Sequence, residues 1–262
     1  MAQLAADQPW LTQQFGLSGR TALVTGARTG IGRACAVALA AAGADLVLWA
    51  RDATDLTDLV HEIRGLGREA HPVGCDLEDI DAVAELAAGL AAENSIDVLV
   101  NNAGIIHREP AEQVSFADWR RVLSVDLDAL FLITQAVGGP MVERGSGRII
   151  SIASLLSFQG GVGVSSYAAA KHGVAGLTKA LANEWGPHGV TVNAVAPGYV
   201  ATNNTAALRA DPVREPQLRD RIPLGEWATP QDIAPSVVFL ASRAARYLNG
   251  QVIAIDGGWL SR

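Results

Sequence analysis

Tyr167 and Lys171 lie four residues apart in SSYAAAKHG. On a helix, positions i and i+4 share a face, so the Lys171 ammonium can stand beside the Tyr167 phenol. A free phenol keeps its proton up to about pH 10 and is a poor acid–base catalyst near neutrality. An adjacent cation favours the phenolate, and a general acid/base works best when it titrates near the operating pH. Ser154 precedes the tyrosine by thirteen residues and closes the strand-like run GRIISIAS. Its hydroxyl could donate a hydrogen bond to the same substrate oxygen. No charged residue occurs between Ile149 and Ala170, which would strengthen any charge placed there. The spacing alone fits a half-buried tyrosine beside a solvated lysine equally well. The serine, the charge-free setting and a glycine loop near the start of the chain favour chemistry.

That loop is TGARTGIG, Thr25 to Gly32. It follows the apolar run TALVT and precedes a helical segment, the placement at which glycines permit a tight turn and close approach of a pyrophosphate. The helix N-terminus then favours the negative charge. Gly26, Arg28, Thr29, Gly30, Ile31 and Gly32 are the candidate contacts. The spacing is Gly-x-x-x-Gly-x-Gly, one step removed from the Gly-x-Gly-x-x-Gly dinucleotide pattern.

The elements that must position these residues alternate. TALVT, DLVLWA, AHPVGC, DVLVN, RIISIA, VTVNAVA and VIAID are short runs rich in β-branched residues. Between most of them lie helical segments over 31–42, 53–66, 80–92, 116–137, 166–185 and 230–242. Such alternation predicts βαβ units and a parallel sheet. Near-continuous apolar strands predict a sheet covered on both faces. The expected fold is therefore one doubly wound, Rossmann-like α/β domain, a seven-stranded parallel sheet with helices on both faces. It should span 17–262, after an N-terminal extension over 1–16. The charge- and proline-richer segment 199–227 falls outside the alternation and is expected to cover substrate.

A net charge of -7 argues against nucleic acid and anionic membrane as partners, since both call for a basic footprint. Apolar residues make up 49% and charged residues 18%, so much surface must be buried, subunit contacts included. Cys35 and Cys75 are too few for a disulfide framework and read as small apolar residues. The five histidines show no metal-ligand spacing. MAQLAADQPW lacks the features of a secretory signal, and no run reads as long and apolar enough to cross a membrane. A reducing cytoplasm is the default expectation.

Together the motifs TGARTGIG, CDL (75–77), NNAG (101–104), Ser154 with YAAAK (167–171) and PGYVAT (197–202) resemble the short-chain dehydrogenase/reductases. The resemblance covers about 17–262. It implies hydride transfer between a nicotinamide cofactor and a carbonyl or secondary alcohol, with Tyr167 as acid/base, Lys171 beside it and Ser154 polarising the substrate oxygen. It places Asp76 and Leu77 at the adenine, and Asn102, Ala103 and Gly104 along the adenosine and nicotinamide-ribose path, with Asn101 steadying neighbouring strands. Pro197, Gly198, Val200 and Thr202 fall at the nicotinamide, whose ribose also meets Tyr167 and Lys171. The position where a carboxylate would select NAD falls on Ala50, and Arg51 follows. An arginine there can pair with a 2′-phosphate, Asp52 could neutralise it, and Arg28 could assist it. NADP is therefore expected over NAD. One departure stands out. The family's asparagine seven residues after a tryptophan, which holds a water linking the lysine to solvent, is here Asp126, after Trp119, and Asp126 is expected to stand in for it as a catalytic relay residue.

The runs SLLSFQGG, PGYVATNNTAALR, DGGWLSR and NNAGIIHREP resemble the family branch that acts on deoxy sugar acids, 2-deoxy-D-gluconate or 2-dehydro-3-deoxy-D-gluconate. That implies hydroxyl- and carboxylate-binding partners. His107, Arg108, Ser154, Gln159, Asn203, Thr205 and Arg209 are candidates by position. A broad carbonyl or 3-ketoacyl-thioester reductase is the alternative, and a non-catalytic dinucleotide-binding redox sensor is the alternative of another class. The resemblance also implies a homotetramer, with the helices at 116–137 and 166–185 paired across a two-fold axis and DGGW at a second contact.

Overall fold

The computed structural model describes residues 9–262. The expected N-terminal extension lies within them only from Pro9, where α1 (Pro9–Phe15) begins. Its Phe15 packs on Phe239, with ring centroids 6.3 Å apart.

Seven strands form one parallel sheet: β1 (Thr21–Thr25), β2 (Asp45–Ala50), β3 (Ala70–Gly74), β4 (Val98–Asn101), β5 (Gly147–Ile152), β6 (Val190–Pro197) and β7 (Val252–Ile255). Their spatial order is β3-β2-β1-β4-β5-β6-β7. The order reverses between β1 and β4, and this opens a crevice at the carboxyl ends of the strands.

Alternation along each strand fills two cores. Ala22 and Val24 of β1, with Leu46 and Leu48 of β2, face one layer of helices: α2 (Gly30–Ala41), α3 (Thr57–Gly65) and α10 (Pro230–Ala241). Leu23, Val47 and Trp49 point the other way, toward α4 (Ile80–Glu93), α6 (Ala129–Glu143) and α7 (Ser165–Trp185). A period of two makes both faces apolar when helices cover both. The exceptions are the two edge strands, β7, none of whose residues is buried, and β3. His71, Pro72 and Gly74 are not buried, and a proline without an amide donor suits this edge position.

The helix expected over 116–137 is instead two. α5 (Phe116–Leu123) passes through a π-helical turn, Ser124–Asp128, into α6. The run Phe116–Glu143 is 28 residues long and apolar enough to cross a membrane, which corrects the sequence expectation. In the fold, Ala129, Ile133, Val137 and Met141 belong to the second core. The segment 199–227 carries a 3-10 turn at Asn203–Thr205, α8 (Ala206–Ala210) and α9 (Arg214–Arg219).

Candidate active site

A cavity of about 430 Å³ runs along the carboxyl ends of the strands. At one end stand Arg28, Arg51, Asp76 and Leu77; in its middle Gly26, Thr29, Gly30, Ile31, Asn102, Ala103 and Gly104; at the other end Ser154, Tyr167, Lys171, Pro197, Gly198, Val200 and Thr202. The sheet explains the convergence. Apart from Tyr167 and Lys171 on α7, each group sits just beyond a strand or at the start of the helix after it, and parallel strands bring all their carboxyl ends to one edge.

The glycine loop is shaped by close approach. Gly26 and Gly30 have φ of 65° and 59°, a region that favours glycine. A Cβ on Gly32 would lie 2.3 Å from both the Gly26 carbonyl oxygen and Asn102 Nδ2, so Gly32 serves packing and does not line the cavity. The Asn102 side chain donates to the Thr25 and Gly26 carbonyls at 3.0 and 3.2 Å, and Thr25 Oγ1 accepts the Asn102 and Ala103 amides. The loop after β4 thus holds the glycine loop open. A Cβ on Gly30 would point at Thr202 across the cavity, 3.4 Å from its Cγ2. The missing side chain and the unpaired first-turn amides of α2 make a cradle that fits a dinucleotide pyrophosphate.

At the far end, Asp52 does not neutralise Arg51. Its carboxylate accepts from the Thr54 amide and hydroxyl at 2.8 and 2.7 Å and caps the turn after β2. Arg28 leans on Asp55 at 3.5 Å. Among the described residues no carboxylate lies within 4.0 Å of the Arg51 guanidinium. Two residues that sequence reasoning missed also line this end. Arg121 on α5 donates twice to Glu78 Oε1, at 2.9 and 2.7 Å. They are 43 residues apart, with no local pattern to betray them.

At the catalytic end, Ser154 caps a short 3-10 turn and its Oγ accepts the Leu156 amide at 3.1 Å. The hydroxyl proton remains to donate. Tyr167 and Lys171 share a face of α7 as their spacing predicts, with the Lys171 Nζ 5.4 Å from the phenol ring centroid. Lys171 is buried and donates to the Ile152 carbonyl at 3.1 Å. Behind it lies Asp126, fully buried in the π turn. Its Oδ1 accepts the Ile105 amide at 2.7 Å. Its Oδ2 is 3.4 Å from Lys171 Nζ, an ion pair out of line for a hydrogen bond. Burial raises the Asp126 carboxyl above the ordinary carboxylate value, against the pull of Lys171. Burial alone would lower Lys171; Asp126 and Tyr167 outweigh it and leave the lysine raised. The lysine therefore does not act alone on Asp126, as simple charge pairing would suggest.

The substrate candidates divide. Asn203 and Thr205 line the cavity with Ser154, whereas His107, Arg108, Gln159 and Arg209 do not. The Thr205 hydroxyl is engaged within its own turn, donating to the Val200 carbonyl at 2.7 Å. Arg209 donates to the Thr202 carbonyl at 3.2 Å. Asn101 reaches not a strand but a helix, donating to Thr134 Oγ1 on α6 at 2.8 Å. His107 pairs with Glu109 at 3.0 Å. Asp118 brings the ligand atoms of a His-Glu-Asp group within 4.8 Å of one another, a juxtaposition that linear spacing of the histidines did not reveal. Tyr199, from PGYVAT, packs on Trp227 and Trp259 with centroids 5.2 and 4.7 Å away. The segment after β6 is thereby tied to the C-terminus.

The chain matches the family profile described as Enoyl-(Acyl carrier protein) reductase over residues 26–260. It is 49% identical over 253 residues to the 2-dehydro-3-deoxy-D-gluconate 5-dehydrogenase of Bacillus subtilis, covering 97% of this chain and 99% of that protein. A crystal structure from Beutenbergia cavernae, of a candidate NAD(P)-dependent gluconate 5-dehydrogenase with NADP at low occupancy, is 55% identical. It superposes with a TM-score of 0.93 over 95% of this chain and 100% of that one. A gluconate 5-dehydrogenase from Burkholderia cenocepacia, in complex with NADP and tartrate, is 36% identical, with a TM-score of 0.92 over 96% and 99%. Sequence motifs, sheet order and the cavity with its serine, tyrosine and lysine all lead to the same place: the chain belongs to the short-chain dehydrogenase/reductase family.

Proposed function

We propose that this protein interconverts a secondary alcohol and a ketone on a deoxy sugar acid, with NADP as cofactor. The observation that carries the reading is one cavity with two ends. Ser154, Tyr167 and Lys171 stand at one and Arg51 at the other, with the glycine cradle between them. Arg51, with Arg28 nearby, would hold the 2′-phosphate, the first turn of α2 the pyrophosphate, and Val200 and Thr202 the carboxamide. Bound nicotinamide supplies the hydride chemistry. The protein's residues handle the proton and the oxygen. Tyr167 gives its hydroxyl proton to the ketone oxygen in reduction and takes it back in oxidation. Ser154 donates a hydrogen bond to the same oxygen, and Lys171 favours the phenolate and holds ribose hydroxyls. The sugar-acid assignment draws on the named relatives, one of them carrying the hydroxy-diacid tartrate. We extend the proposal to a homotetramer working in the cytoplasm.

The test is a panel of 2-deoxygluconate, 2-dehydro-3-deoxygluconate, gluconate and simple hydrophobic ketones, each followed by nicotinamide absorbance with NADP(H) and NAD(H). Turnover of a deoxy sugar acid, with weaker binding when its carboxylate is replaced by a neutral group, supports the reading. Turnover of bulky apolar ketones alone would replace it with a general carbonyl reductase. Sedimentation velocity gives the oligomeric state.

A further inference from the structure

Lys171 and Asp126 form the only ion pair with both members buried among the described residues. The other pairs are partly exposed on both partners. Burying two charges is unfavourable unless the geometry around them is well made. Here it is. The Lys171 ammonium is held by the Ile152 carbonyl at 3.1 Å, faces the carboxylate at 3.4 Å and opens to the cavity beside Tyr167. The Asp126 carboxylate is fixed by the Ile105 amide, and the π turn wraps it inward. Single π turns of this kind recur at functional sites.

The neutral asparagine usual in this family would leave Lys171 as an uncompensated cation under the phenol. An aspartate leaves the pair with no net charge. We propose that Asp126 is a positioning residue that holds Lys171 and partly cancels its charge, so that alcohol oxidation switches on at a higher pH than with a neutral amide at this position. The inference rests on the acid–base roles given above to Tyr167 and Lys171.

Among the described residues, the titratable groups named on the neighbouring elements are engaged elsewhere. On α7, His172 is exposed, with its Nδ1 on the Ala168 carbonyl. At the end of the π turn, Asp128 is paired at 4.0 Å with Arg120, both exposed at the side chain. On the loop after β4, His107 pairs with Glu109. On the segment after β6, Arg209 binds the Thr202 carbonyl. The turn after β5 contributes only the Ser154 and Ser157 hydroxyls. The 3.4 Å approach of Lys171 Nζ to Asp126 Oδ2 favours the charged form of each member. A unit charge within about 10 Å, at an effective dielectric near 20, moves a titration by about one pH unit.

Asp126→Asn and Asp126→Ser both remove the charge and are checked for cooperative thermal unfolding. The first readout is the ultraviolet tyrosinate absorption of the cofactor-free protein against pH. In each background, subtraction of the matching Tyr167→Phe chain isolates the Tyr167 step. The step is expected about one pH unit lower in both variants than in the parent. The second readout is the pH profile of kcat/KM for oxidation, whose midpoint should move down with it while KM changes little. Steps at the same pH in parent and variants overturn the proposal. If the parent oxidises no sugar acid, the functional reading falls, and the absorbance titration still decides the role of Asp126. Should the Asn chain fail to fold, the Ser chain carries the test.

Discussion

Tyr167 reaches the cavity from the first turn of a helix, with a buried cation one turn below it. If its hydroxyl is the proton carrier, Tyr167→Phe should lower kcat by about 100- to 10,000-fold, the usual worth of one positioned acid/base. The dissociation constant for NADPH, read by fluorescence, should stay within a few-fold. Wild-type turnover in a folded Phe variant would remove the tyrosine from the mechanism. Arg51 gives the second prediction at this scale. Among the described residues its guanidinium has no carboxylate within 4.0 Å, whereas Arg28 is shared with Asp55. Arg51→Ala should therefore weaken NADPH binding by about 2 kcal/mol, the worth of a charge-assisted contact, and leave NADH nearly unchanged. Parallel losses for both cofactors would make Arg51 a bystander.

At the scale of elements, the site depends on two turns that hold each other. The glycine loop after β1 is pinned from the side by Asn102, which leaves β4 in the same direction. Gly32 permits that contact because no side chain stands between them. Gly32→Ala should push the loops apart. Cofactor affinity is then expected to fall about tenfold or more, about 1.4 kcal/mol, with kcat at saturating cofactor much less affected. Unchanged affinity by calorimetric titration would show that the loops adjust freely. The π turn is the other device. It sits inside a run whose composition reads as uninterrupted helix, and it carries Asp126 to the back of Lys171.

For the whole molecule, surface carboxylates govern acid stability. The Glu69 amide holds Asp45 below its ordinary 3.8, and the Thr54 hydroxyl does the same for Asp52. Arg121 lowers Glu78 from 4.5. The Arg214 amide lowers Asp211, and the Thr229 hydroxyl lowers Asp232. Between each lowered value and the ordinary one, the folded chain binds fewer protons than the unfolded chain. Stability is thus present above the ordinary values and lost as pH falls through the folded ones. Asp126 works oppositely, since its raised value makes its ionisation unfavourable to the fold as pH rises past 3.8. The five lowered carboxylates contribute a fall in Tm as pH drops from about 5 to 3, and Asp126 opposes it. Asp45→Asn should lower Tm at neutral pH and narrow the gap between neutral and acid. A gap equal to the parent's would show that Asp45 contributes nothing.

The strands, most helices and the Ser154, Tyr167 and Lys171 group were legible from the sequence. Each depends on local periodicity or a short spacing: two along a strand, four along α7, a turn of glycines after β1. Such patterns act within one element, and the parallel sheet carries them to one edge whatever the loops do. The π turn, the Glu78–Arg121 clasp, the His107–Glu109–Asp118 group and the Tyr199–Trp227–Trp259 stack were not legible. Each joins residues from separate elements, or requires one extra residue in a helical turn whose composition is ordinary. The character of Asp126 shows the division most clearly. Its type and its place after Trp119 could be read in the chain. That burial opposes the pull of Lys171 on its charge could not, because desolvation belongs to a position in the packed interior and to no residue alone.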